Sequence, residues 1–128
     1  FAVGDGGTIL VNSGSGWTAQ VSGTTQPLNA VWGTSASDVF AVGGAGTILH
    51  YNGMSWSSQT SGSTQLLRSV WGSAGNSVFA VGDNTTMLRY DGSTWAAQTV
   101  SGTPSPSMDL TAVWGASASN VFAVGVAK

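Results

Sequence analysis

The side chains that could do chemistry are few. The only carboxylates are Asp5, Asp38, Asp83, Asp91 and Asp109, there is no Glu, and His50 is the single histidine. Glycoside hydrolysis needs a pair of carboxyl groups, one with a raised pKa. Asp5, Asp38, Asp83 and Asp91 instead fall in turn-like stretches, where an aspartate side chain binds its own backbone. Positions equivalent to His50 elsewhere in the chain hold Val11 and Arg89, so spacing supports no Ser-His-Asp set, and His50 reads as an exposed strand residue. Asp83 and Asn84 could meet a cation with nearby carbonyls, but no regular Asp-x-Asp spacing accompanies them. Without Cys there is no thiolate ligand and no Cys nucleophile. The expectation is a protein that is not an enzyme and holds no metal or cofactor.

Binding is better motivated. Exposed tryptophan faces stack on sugars and attract cations. Of the six Trp residues, Trp17, Trp56 and Trp95 follow turn sequences, which makes them the ligand-facing candidates. Packing is the competing reading, because every copy keeps its Trp at fixed spacing and each buried ring removes ~200 Å² from water. Further candidates are Asp5, Asp83 and Asn84, in loops that differ between copies, and Arg68, which varies with Asn29 and Thr111 at the start of a strand. Loop variation on a repeated scaffold is where function can be placed, although drift produces the same pattern.

These residues ride on a repeat of roughly 39 residues. Phe-Ala-Val-Gly occurs at Phe1, Phe40, Phe79 and Phe122, and Val-Trp-Gly surrounds Trp32, Trp71 and Trp114. The spacing of 15 from Trp17 to Trp32, and from Trp56 to Trp71, becomes 19 from Trp95 to Trp114. The extra length falls in Val100 to Asp109, with Pro104 and Pro106, and is expected to be a loop. One period holds four strand-length segments, Leu28 to Trp32, Val39 to Val42, Thr47 to Tyr51 and Trp56 to Thr60. Gly33 to Asp38, Gly43 to Gly46, Asn52-Gly53 and Ser61 to Gln65 separate them with turn chemistry. Asn52-Gly53 and Asp91-Gly92 predict hairpins between third and fourth strands, since such turns need positive φ. No stretch carries a helical period.

Four short antiparallel strands per copy, apolar on both sides, predict an all-β chain of about three four-stranded β-propeller blades. A sandwich would alternate apolar and polar residues, and a parallel β-helix would have shorter coils. The single module 1–128 divides into repeats near 1–27, 28–65 and 66–109, with a partial copy at 110–128. Three blades plus a spare second strand cannot close into a ring. The expectation is therefore pairing of two chains into six blades, or membership of a longer propeller chain.

The residues Tyr90-Asp91-Gly92-Ser93-Thr94-Trp95 resemble the Asp-box of bacterial neuraminidase-like repeats, and Tyr51 to Trp56 and Asn12 to Trp17 match less closely. The resemblance implies that the Asp and Ser/Thr tie the turn while the Trp packs between strands. The Val-Trp-Gly, Phe-Ala-Val-Gly and Asn/Asp-Gly-Ser-Trp series is also similar to bacterial propeller repeats along nearly the whole chain, and it implies no activity.

Charged residues make up only 6% of the chain, with a net charge of −2, so solubility rests on Ser, Thr, Asn, Gln and Gly. Only Arg68, Arg89 and Lys128 are basic, too few for a phosphate backbone, so no nucleic-acid partner is expected. No apolar run reaches the ~18 residues of a membrane span. The first residue is Phe, which with the neutral surface leads to the expectation of a mature or excised piece of a secreted or cell-surface protein. The function expected is multivalent, lectin-like carbohydrate binding. The alternative is a structural or protein-interaction repeat without a ligand of its own.

Overall fold

In a computed structural model of the chain, residues 1–102 and 107–127 are described. They form thirteen strands in four antiparallel sheets, and within each sheet the strands pair in chain order. The first sheet holds β1 (Ala2–Gly4), β2 (Thr8–Asn12) and β3 (Trp17–Gln20). The second holds β4 (Leu28–Ser35), β5 (Asp38–Gly43), β6 (Ile48–Tyr51) and β7 (Trp56–Gln59). The third repeats that plan with β8 (Leu67–Ala74), β9 (Ser77–Gly82), β10 (Met87–Tyr90) and β11 (Trp95–Ala97). The last has β12 (Met108–Ser117) and β13 (Asn120–Ala127). Among the described residues the only helical pieces are short 3₁₀ turns at Asp5–Gly7 and Gly44–Gly46, and no helix is long and apolar enough to cross a membrane.

The strands are apolar on both sides because successive residues face different neighbours. In β5, Val39 and Ala41 join a core with Ile9, Leu28, Leu49 and Trp56, against the first sheet. Phe40 and Val42, which alternate with them in sequence, join Leu67, Val70, Val78, Leu88 and Trp95 of the third sheet. The alternation recurs in β9, where Val78 and Ala80 face back while Phe79 and Val81 meet Leu110 and Val113 of the last sheet. Burying each Val, Leu or Phe contributes roughly 1.5–3 kcal/mol. The opening strands β4, β8 and β12 lie side by side. Asn29 Nδ2 donates to the Leu67 carbonyl at 2.8 Å and the Val113 N–H donates to Ser69 Oγ at 3.2 Å, so polar side chains at this seam are paired.

The opening strand is longer than expected. Gly33 pairs with Val39 and Ser35 with Asp38, with irregularities after Leu28 and after Gly33, so the connection to β5 is two residues and not six. Small residues can extend a ladder at its exposed end as well as break it, and here they extend it. The Asn52 and Asp91 hairpins form where expected, with Gly53 at φ 96° and Gly92 at φ 102°. Of the inserted segment, Met108 and Asp109 already belong to β12, while Thr103 to Pro106 lie outside the described residues.

Candidate functional site

Three groups of residues could carry function: the repeated tryptophans, a polar rim, and an Asp–His pair. The tryptophans at the hairpins act between sheets. Trp56 Nε1 donates to Gln20 Oε1 at 2.7 Å and Trp95 Nε1 donates to Gln59 Oε1 at 2.8 Å, each reaching back 36 residues into the preceding sheet. Both indoles are buried, whereas Trp17, the first of the series, is 57% exposed. Each buried indole belongs to a repeated aromatic set. Phe1 meets Tyr51 and Trp56 edge-on at 5.5 and 5.8 Å, and Phe40 meets Tyr90 and Trp95 at 5.4 and 6.0 Å. Of the three proposed ligand-facing rings, Trp17 alone is exposed. Gln20, Gln59 and Gln98 were not singled out from the sequence, although each stands three residues after a Trp of its own copy. That spacing was the available signal.

The other tryptophan series packs into glycine sockets. A Cβ on Gly72 would lie 2.6 Å from the Trp32 ring, and one on Gly115 would lie 2.7 Å from the Trp71 ring. Only glycine leaves room for these rings. At Gly33 the nearest atoms belong to β5, and an open cleft of about 660 Å³ lies beside it, lined by Phe1, Val11, Val31, Val39 and Tyr51 among others. At the far end of the chain, Trp114 and Phe122 pair across β12 and β13 and are 61% and 59% exposed, beside exposed Val124 and Val126.

The polar candidates gather in the third copy. Arg68 Nε donates to Asp83 Oδ1 at 2.5 Å, which raises the guanidinium pKa against a smaller opposing effect of desolvation. Asn84 Nδ2 donates to Gln65 Oε1 at 2.7 Å, its backbone N–H donates to Asp109 Oδ1 at 3.1 Å, and Ser107 Oγ donates to Asn84 Oδ1 at 3.3 Å. The structure thus joins Arg68, Asp83 and Asn84 on one rim and adds Gln65, Ser107 and Asp109. Asp5 occupies the equivalent turn of the first copy, where its carbonyl accepts from Thr8 Oγ1 at 2.7 Å.

His50 is half-buried rather than exposed. Its Nε2 meets Asp38 Oδ1 at 2.6 Å, while Thr34 Oγ1 donates to Asp38 Oδ2 at 2.6 Å. Burial pushes the Asp38 carboxyl pKa up, but the bonds from His50 and Thr34 and the charge of His50 together outweigh it, leaving the pKa below its usual value. In the next copy the same two places hold Ser77 and Arg89, joined at 3.3 Å, with Arg89 over the Phe79 ring as His50 lies over Phe40. The pair changes type while its place is kept, which suits packing at a strand end. No group of three or more His, Cys, Asp or Glu side chains suited to a metal occurs among the described residues.

Asp91 Oδ1 accepts from the N–H groups of Ser93 and Thr94 at 2.8 and 2.9 Å, and Asn52 Oδ1 accepts from Met54 and Ser55 at 2.9 and 3.0 Å. The Thr94 and Ser93 bonds hold the Asp91 pKa below its usual value. Compared with known proteins, the sequence matches no family model and no curated protein.

Proposed function

We propose that the four sheets are blades of an open β-propeller arc and that the chain is a non-catalytic interaction module, binding through its end sheets and its polar rim. The observation that carries this reading is the placement of exposed aromatic rings. Trp17 lies in the first sheet and Trp114 and Phe122 in the last, while the same residue types in the middle are covered by the adjacent sheet. Stacked like units present apolar faces at the first and last sheets, and such faces favour a covering partner, either a second copy or further repeats of a longer chain. Light scattering across a concentration series tests this directly. Species heavier than 12.8 kDa support association through the ends, and a monomer at every concentration sinks it.

Carbohydrate is the second reading, favoured by one observation. The rim of the third copy combines Arg68, Asp83, Asn84 and Gln65, a set of donors and acceptors suited to sugar hydroxyls. A glycan array decides it. Reproducible binding lost in Arg68→Ala and Asn84→Ala, with melting behaviour retained, supports a lectin-like rim, and an array without binding removes it.

A further inference from the structure

The hairpin between β6 and β7 sets a side-chain amide beside a backbone nitrogen that nothing shields. Asn52 precedes Gly53, and Asn-Gly occurs nowhere else in the sequence. The N–H groups of Met54 and Ser55 both donate to Asn52 Oδ1, at 2.9 and 3.0 Å, while the Asn52 N–H donates to the Ser55 carbonyl at 3.3 Å. Residues 52–55 are exposed, so water reaches the turn. Gly53 has no Cβ to hinder its nitrogen, and its φ of 96° is one that glycine adopts readily. The third copy carries Asp91-Gly92 at the same place, where Ser93 and Thr94 donate to Asp91 Oδ1 in the same manner and hold its pKa below the usual value. This pair of donors therefore favours negative charge on the oxygen it meets. The first copy carries Asn12-Ser13, and there Gly14 donates to Asn12 Oδ1 at 2.8 Å.

We propose that Asn52 is a self-modifying site, at which the turn's own N–H groups promote deamidation of the side chain. The Gly53 backbone nitrogen attacks Asn52 Cγ and forms a C–N bond, giving up its proton to water. Negative charge develops on Oδ1, where the Met54 and Ser55 N–H groups already point, as donors do in an oxyanion hole. The Cγ–Nδ2 bond then breaks, and the nitrogen takes up a proton and leaves as ammonia. Water opens the resulting succinimide and restores the Gly53 N–H. Opening at Cγ gives aspartate at position 52, and opening at the main-chain carbonyl gives isoaspartate. The sum is hydrolysis of one amide by one water, with no change of oxidation state, and it adds one negative charge to the net −2. Aspartate fits the turn, because the Asp91 hairpin closes with Tyr90↔Trp95 as this one closes with Tyr51↔Trp56. The reaction also stops there. A carboxylate kept ionised by two N–H groups is a poor target for the glycine nitrogen, so Asp91 does not follow the same route at neutral pH.

The test is a time course of the purified full chain held warm at mildly alkaline pH, folded and in guanidinium, with each asparagine followed by peptide mapping and mass spectrometry. In the folded chain Asn52 should convert at least about tenfold faster than Asn12, Asn29, Asn76, Asn84 or Asn120. It should also convert about tenfold faster folded than in guanidinium, where neither donor is held in place. Isoelectric focusing should show one new acidic band that runs with Asn52→Asp, and that variant should melt with the parent. An Asn52 that stays an amide overturns the proposal. Conversion no faster in the folded chain than in guanidinium overturns it as well, since the dipeptide would then react without help from the turn. An Asn52→Asp chain that fails to fold removes the claim that the turn accepts the product.

Discussion

A single glutamine decides whether a buried indole is tolerated. Replacing Gln59 by Ala leaves the Trp95 N–H without its acceptor and is expected to cost about 1–3 kcal/mol, read as a lower denaturant midpoint at unchanged slope. The packing role of these tryptophans was legible, since fixed spacing in every copy is what packing requires. Their acceptors were not, because Gln20 sits beside Trp17 in sequence yet serves Trp56 across the sheet boundary. Asp38 and Asp91 contribute to the response to acid. Both have lowered pKa values in the folded chain, and an unfolded aspartate titrates near about 3.9. Their stabilisation is therefore complete well above that pH and is lost as pH falls through the lower folded values. Urea midpoints measured from pH 6 to pH 2 should fall in that window, and Asp38→Asn should flatten the fall.

Among the strands and their connections, the loop before β6 explains the one break in the repeat. A Cβ on Gly46 would lie 1.9 Å from the Ser63 carbonyl oxygen, and one on Gly7 would lie 2.0 Å from that of Thr24. The third copy has Thr85 there, at φ 58°, and it is the copy with the longer following segment. Thr85 bonds to Met108, its N–H donating to the carbonyl at 2.6 Å and its Oγ1 accepting from the Met108 N–H at 2.9 Å. Gly46→Thr is accordingly expected to destabilise by more than about 2 kcal/mol in thermal melts, and Thr85→Gly by about 1 kcal/mol or less. The insertion was visible in the sequence, but its link to Thr85 needed the distance between two loops. Strand number per copy and the hairpins at Asn52 and Asp91 were legible because turn residues there need positive φ. The reach of β4 to Ser35 was not, since Gly33, Thr34 and Ser35 read as a turn until their partners on β5 were known.

At the scale of the whole chain, the repeat led to the expectation of antiparallel sheets in succession, and the described residues form four of them. What spacing could not convey was that the Trp32 and Trp71 rings lie against Gly72 and Gly115 of the following sheet. The tryptophan-to-glutamine bonds all point one way, from a later copy to an earlier one. During synthesis each of these two indoles therefore leaves the ribosome after its acceptor, whereas the Asn29 amide must wait for Leu67 of the following copy. The tryptophan donors can thus be satisfied in step with translation, while the Phe40 and Val42 face of the second sheet is covered only when the next sheet arrives.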